Sequence, residues 1–288
     1  MIKIEETETY GWEAAIRGMR NPMNSWDKSD SGICYKEVAC HSCNENRNNC
    51  AYNLEHDGFV IGDNDIELMH RLCAAGTDHR KFMRMIVVYC NITAPLYWWK
   101  EFDTYKVGTV ANSCSTMHKI HDKEFTIDDF SHEHLSTEIY GESIEEPDWI
   151  DTTRSSDNLL DFIVCHLNIY RELYIETKDK KYWWQMIQLL PSSYNQKRTV
   201  MLNYEVLNNI YTSRRNHKLD EWHDFCDWAK TLPHSKLITG MSDVTDEFWE
   251  VTRSCYAPID ENEIARAILT GEMRPEEKEI YKDALSKE

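Results

Sequence analysis

No run of 18 apolar residues occurs anywhere in the 288-residue chain, so no segment reads as a membrane-spanning helix. The opening Met1-Ile2-Lys3-Ile4-Glu5-Glu6 lacks an apolar leader core, which sets the expectation of a cytoplasmic protein. Positive charge is scarce. Against 50 Asp and Glu stand 32 Lys and Arg, a formal net charge of −18. A nucleic-acid polymer would be repelled by such a surface unless a local basic patch existed. The largest basic cluster, Arg214-Arg215-Asn216-His217-Lys218, has room for one phosphate group and not for a strand. The acidity therefore reads as solubility. Internal repeats and low-complexity linkers are also missing, and one α+β domain with a small tail is the simplest organisation. The expected bounds are 1–235 for the domain, with a Cys-rich insertion near 32–58, and 236–288 for a short, helical, acidic tail.

Apolar residues make up 41% of the chain and charged residues 28%, enough to build a large core in a soluble globular protein. Ten Trp and fifteen Tyr are a heavy aromatic load. It fits a large helical core, and it equally fits a pocket for planar ligands. The segment Ala94-Pro95-Leu96-Tyr97-Trp98-Trp99-Lys100-Glu101-Phe102, with the turn-like Asn112-Ser113-Cys114-Ser115 after it, favours the pocket, because a strand entering an aromatic, charged stretch suits a flat ligand. Ten Cys without a leader imply reduced thiols. Four of them, Cys34, Cys40, Cys43 and Cys50, crowd around Cys40-His41-Ser42-Cys43, a C-x2-C knuckle of the kind that holds structural zinc, with His41 as an alternative ligand. A second C-x2-C is missing, so scattered thiols and redox or iron–sulfur chemistry stay open beside the metal.

Periodicity predicts a short amphipathic helix over 8–20 and a helix opening at Asp63-Asn64-Asp65, with Gly76 near its C-terminus. A strand is expected over 84–93 with Pro95 just beyond it, and a short helix at Asp128-Asp129. Residues 135–155 read as loop. Helices follow over 157–177, Lys180–Leu190, Tyr194–Ser213 and Leu219–Thr231.

Two separate segments resemble the flavin-dependent thymidylate synthase family. Ala94-Pro95-Leu96-Tyr97 matches that family's Ala-Pro-aromatic strand end, and Lys100-Glu101-Phe102 stands where it has Arg-Gln-Trp. The family's Arg-His-Arg…Ser…Asn-Glu…Ser…Arg-Tyr signature is eroded. Thr104-Tyr105-Lys106 replaces Arg-His-Arg, and Thr109 the first Ser. Asn112 fits the Asn after one inserted residue, Ser113 replaces the Glu, Ser115 fits the second Ser, and Met117-His118 replaces Arg-Tyr. The second segment is cleaner: Leu190-Pro191, then Asn203 twelve residues after the Pro, then Leu207, Asn209, Ile210 and Arg214, with no gap against the family pattern.

The resemblance implies an α+β fold with an antiparallel or mixed sheet flanked by long helices. It implies FAD-dependent one-carbon transfer to a pyrimidine deoxynucleotide such as dUMP, with NADPH and methylenetetrahydrofolate as co-substrates, in a homotetramer whose sites are shared between chains. A catalytically lapsed flavin- or nucleotide-binding homologue is the alternative. Asn203 and Asn209 inherit flavin contacts by position and Arg214 a nucleotide-phosphate contact; Asn208 and Arg215 are the register-shifted competitors. Six residues apart on a predicted helix, the two Asn are about 120° from alignment and could only flank a ligand. Ser113 and Ser115 position the substrate. His118, three residues on, is the candidate base if Ser115 acts as a nucleophile. Lys106 and Tyr105 stand against the cofactor, Lys106 as the surviving signature cation or a surface Lys, and Lys100 beside the nucleotide. His79 is a displaced match to a family Gly-His-Glu, either a flavin contact or a capping His. Glu101 replaces a Gln near the nucleotide; a carboxylate there must be paired or protonated, or accept from a base amino group. Met117 in place of Arg removes a charge-assisted contact worth ~1.5–3 kcal/mol unless His118, Lys119 or Arg198 substitutes.

Overall fold

A computed structural model describes residues 2–33, 59–138 and 155–240. In chain order the elements are β1 (Lys3–Tyr10), α1 (Trp12–Arg20), β2 (Gly32–Ile33), β3 (Phe59–Val60), α2 (Asp63–Ala74), β4 (Val87–Pro95), α3 (Leu96–Phe102), β5 (Val110–Ser113), α4 (Thr116–Lys119), α5 (Ser156–Thr177), α6 (Lys180–Leu189), β6 (Asn195–Asn203), α7 (Tyr204–Arg214), α8 (Asp220–Lys230) and α9 (Lys236–Thr239). β1, β4, β6 and β5 form an antiparallel sheet in that order, and β2 pairs with β3. This is the expected α+β class.

The β4–β6 ladder organises the core. Its register sets Val88 opposite Leu202, Cys90 opposite Val200, Ile92 opposite Arg198 and Ala94 opposite Gln196. Alternate residues thus share one face. On that face Val88, Cys90, Ile92, Ala94, Val200 and Leu202 are buried, while Tyr89 on the other face stays exposed. Pro95 ends β4 rather than lying beyond it, and faces Asn195 where the ladder stops. A missing N–H there costs little.

Two sequence expectations fail here. The helix expected over 194–213 is a strand to Asn203 and a helix only from Tyr204. Asn195-Gln-Lys-Arg-Thr-Val-Met-Leu-Asn203 alternates with period two, and its pairing with distant β4 outweighs its weak local helical pattern. Asn203 and Asn209 therefore do not share a helix. The helix expected over 8–20 begins only at Trp12, because residues 3–10 pair with β4. Gly11 makes the turn between them at φ +96°, where a Cβ would stand 2.1 Å from the Met85 carbonyl oxygen.

α2 opens at Asp63, but Gly62 is its cap residue and Asp30 from the preceding segment caps it, accepting from Asn64 N at 2.9 Å and Asp65 N at 3.2 Å. Asp65 is fully buried instead. Its carboxylate accepts from Arg20 Nε, Ser29 Oγ and Ser31 Oγ, each at 2.6 Å. Burial pushes this carboxyl up, and those donors outweigh it, leaving it below the ordinary Asp range. Gly76 follows α2 with φ +101°, as a C-terminal Gly should. The expected short helix at Asp128-Asp129 is one 3-10 turn, Ile127–Asp129. α5, α6 and α8 lie within a residue or two of their expected bounds. Residues 139–154 of the stretch expected as loop, the four clustered Cys and the acidic tail beyond 240 lie outside the described residues.

Candidate functional site

Most of the aromatic segment is core. Trp98, Trp99 and Phe102 of α3 are buried, and Trp98 packs against Trp222 of α8 with ring centroids 4.7 Å apart. The expected aromatic slot is thus filled by the chain's own rings, because α8, more than a hundred residues away, closes over α3.

Glu101 is the polar residue that this packing captures. Its Oε2 accepts from Arg214 Nη1 at 2.8 Å and from Trp222 Nε1 at 2.9 Å, and His217 Nε2 stands 3.5 Å away. Arg214 Nε donates to the Tyr105 hydroxyl at 2.9 Å, and its guanidinium carbon lies 4.9 Å from the Trp222 ring centroid. Two of its five N–H donors are engaged. The fork is fixed in place while Nη2 makes no hydrogen bond to any described residue. Glu101, Tyr105 and Arg214, drawn from both halves of the resemblance, meet in one network. His217 and Trp222 belong to it as well; His217 lies in the basic run 214–218, whereas nothing in the local sequence of Trp222 marks it and only the fold brings it to Glu101.

A second cluster sits at the other end of α7. Asn203 is the N-cap residue, its Oδ1 accepting from Val206 N at 2.9 Å. Its Nδ2 lies 2.3 Å from where a Cβ of Gly108 would be, so the loop after α3 rests directly on this amide. Glu205 is buried and pairs with Arg80, whose Nε lies 3.2 Å from Oε2, and Arg80 Nη2 reaches Asn209 Oδ1 at 3.4 Å. Arg80 adjoins His79 but carries no motif signal of its own in the sequence. His79 is exposed and occupies the cap position of the 3-10 turn Arg80–Met85 without a side-chain capping hydrogen bond. Along α7, Asn203 and Arg214 are ~16 Å apart by helical rise.

The signature segment behaves differently. Ser113 ends the exposed strand β5 rather than lying in a turn, pairing with Arg198. Ser115 caps α4, its Oγ accepting from the His118 backbone N at 3.0 Å. The bond between these two residues is thus a backbone cap and not a Ser–imidazole pair. Cys114 N donates to the Lys197 carbonyl at 2.9 Å, so Ser115 sits near residue 197 of β6, six residues and ~20 Å of strand from Asn203. Lys100 and Lys106 are exposed and join neither cluster. Arg198, a possible substitute for the lost Arg, is committed to Asp103 at 2.7 Å and to the Trp99 ring at 4.1 Å, and Lys119 to Asp122 at 2.8 Å. Among the described residues no group of three or more His, Cys, Asp and Glu could hold a metal, and no helix is long and apolar enough to cross a membrane.

The architecture is that of the flavin-dependent thymidylate synthases at the level of fold. Two solved structures of thymidylate synthase X from Helicobacter pylori, each described with FAD and dUMP, are similar to this chain. The first has a TM-score of 0.53 at 16% identity and covers 85% of this chain and 100% of its own. The second has a TM-score of 0.52 at 16% identity, covering 82% and 97%. No protein-family model and no curated sequence matches.

Proposed function

We propose that this chain binds a flavin and a pyrimidine mononucleotide and carries out FAD-dependent one-carbon transfer, of the methylation type, on a deoxynucleotide such as dUMP. The observation that carries the reading is the Glu101–Arg214–Tyr105 network, in which residues matched from two distant segments are hydrogen-bonded to one another. The fold likeness to proteins described with FAD and dUMP supports it. FAD, when bound, supplies the redox chemistry, with NADPH and methylenetetrahydrofolate as co-substrates. This chain's own part is to bind and orient. Arg214, stacked on Trp222 and held by Glu101 and Tyr105, offers its remaining donors to phosphate. Asn203 Nδ2 and the exposed Asn209 offer polar groups to the ring edge. Lys100, Lys106 and His79 are accessible for contacts with cofactor or nucleotide.

Within one chain Ser113, Ser115 and His118 stand too far from Asn203 to complete this site. The reading therefore includes a homo-oligomer, expected to be a tetramer, in which a second copy supplies the β5–α4 end. An apolar stripe on α5 supports association: Leu159, Phe162 and Ile169 recur at helical spacing and are exposed. The expected compartment is the cytoplasm, with the thiols reduced. A structural zinc on Cys34, Cys40, Cys43 and Cys50 belongs to the same reading.

The lapsed homologue is favoured by one specific observation. Glu101 already neutralises Arg214, and an anionic ligand meets that carboxylate as well. Purified protein incubated with FAD, NADPH, methylenetetrahydrofolate and each pyrimidine deoxynucleotide monophosphate, with products weighed by mass spectrometry, separates the readings. A methylated nucleotide is expected. A yellow protein that binds nucleotide without product supports the lapsed homologue, and a colourless protein that takes up neither ligand overturns both.

A further inference from the structure

Glu101 uses one of its two carboxylate oxygens and leaves the other open. Oε2 accepts from Arg214 Nη1 at 2.8 Å and from Trp222 Nε1 at 2.9 Å. His217 accepts at Nδ1 from Leu219 N, 3.2 Å away, so its ring proton sits on Nε2, and that atom stands 3.5 Å from the same Oε2. Three groups from α7, α8 and the segment between them therefore hold a single oxygen. Oε1 makes no hydrogen bond to any described residue, is not among the buried atoms left without a partner, and belongs to a side chain that is 34% exposed. A ligand can reach it.

A carboxylate oxygen only accepts, so whatever meets Oε1 must be a donor, and a phosphate oxygen is not one. We propose that Oε1 accepts from the exocyclic amino group of cytosine, so that the deoxynucleotide of the function proposed above is a cytosine nucleotide. The inference rests on that function and names its base; the remaining donors of Arg214 stay with the phosphate. Acidic side chains are the matching partners of the cytosine amino group. Uracil carries a carbonyl oxygen where cytosine carries that group, and its one ring donor is flanked by two carbonyl oxygens that would meet the charge of the carboxylate. Glu101 also stands where the family pattern has Gln, whose amide offers an N–H that a carboxylate lacks. Exchanging amide for carboxylate takes a donor from the site and adds an acceptor. Exchanging uracil for cytosine takes an acceptor from the ligand and adds a donor, so the two changes match.

The test is calorimetric titration of the full chain with dCMP and dUMP in the presence of FAD. dCMP should bind about tenfold tighter, the difference made by one charge-assisted hydrogen bond. Glu101→Gln, whose amide can donate to the uracil carbonyl, should bind dUMP more tightly than the unaltered chain does and lose the preference for dCMP. A gain in dUMP affinity cannot arise from misfolding. The ligand carries the same test without touching the fold: a pyrimidinone deoxynucleotide monophosphate with hydrogen in place of the amino group should bind the unaltered chain about tenfold more weakly than dCMP. Binding of that analogue as tightly as dCMP would overturn the inference, as would a preference for dCMP that survives intact in Glu101→Gln. Equal or tighter binding of dUMP by the unaltered chain would overturn it too, and leave the proposed function standing. Uptake of neither nucleotide would instead bring down the proposed function, and this inference with it.

Discussion

The α3–α7–α8 corner and the β5–α4 edge both carry residues matched to the same family signature, yet the chain treats them in opposite ways. At the corner Trp98, Phe102, Trp222 and Phe225 are buried, and Glu101 and Arg214 are pinned among them by hydrogen bonds of 2.8 to 2.9 Å. At the edge Val110, Met117 and His118 are exposed, and the Ser115 side chain caps a four-residue helix. Burial forces polar groups to find partners, since an unpaired buried donor or acceptor costs free energy comparable to a lost hydrogen bond. The corner is thus a finished geometry within one chain. The edge keeps its side chains available to something else.

The sharpest way to break the contrast is Trp222→Ala. It removes a fully buried ring that packs on Trp98 and Phe225 and donates to Glu101, and should cost about 3–5 kcal/mol of stability in denaturant unfolding. A cost below ~1 kcal/mol would mean that the corner is not the packed unit described. Next in size is acid sensitivity. Burial, first, pushes the half-buried rings of His70 and His234 below the ordinary value of 6.5, and Asp65 is held below 3.8 by Ser29, Ser31 and Arg20. In each case the unfolded chain binds protons at a higher pH than the folded chain does, so stability rises with pH. Stability should therefore decline as pH falls below about 6.5 through the histidines, and again below about 3.8 through Asp65. Unfolding free energies that stay flat from pH 7 to pH 5 would contradict this.

Asn203→Ala should cost about 1 kcal/mol through loss of the α7 cap, read as a lower denaturation midpoint. A matching loss of flavin uptake beyond this stability change would sharpen its assignment as a ligand contact. Ser115→Ala should be the mildest, about 0.5 kcal/mol, as α4 is short and exposed. If it leaves stability intact yet abolishes nucleotide binding only in the oligomer, the edge serves a neighbouring chain. A loss of several kcal/mol would instead make it part of the packed unit.

How much of this was legible in sequence follows from the range of the forces involved. α5, α6 and α8 announce themselves by helical spacing of apolar residues, a signal contained within one turn or two. β4 was legible too, because an apolar β-rich run met a proline. β6 was not: its local pattern resembled a helix, and its strand conformation is decided by β4, about a hundred residues earlier. The same holds for α2, whose cap comes from Asp30, and for Asp65, which looked like a cap and became a buried ion pair with Arg20. Within the candidate site, Glu101 and Arg214 are marked by resemblance, but their hydrogen bond to one another, and the contacts of Trp222, His217, Arg80 and Glu205, appear only when the helices close.

By itself the sequence determined the charge of the molecule, the class of its fold, and the helices whose apolar stripes are complete within their own span. Tertiary structure alone decided which aromatic residues are core, which carboxylates are paired, that Asn203 is a strand-to-helix cap, and that Ser115 lies at the far end of β6 from it. The division is physical. Periodicity, charge and turn chemistry act between near neighbours in sequence, whereas burial and hydrogen-bond satisfaction are settled between residues that meet only after the chain has folded.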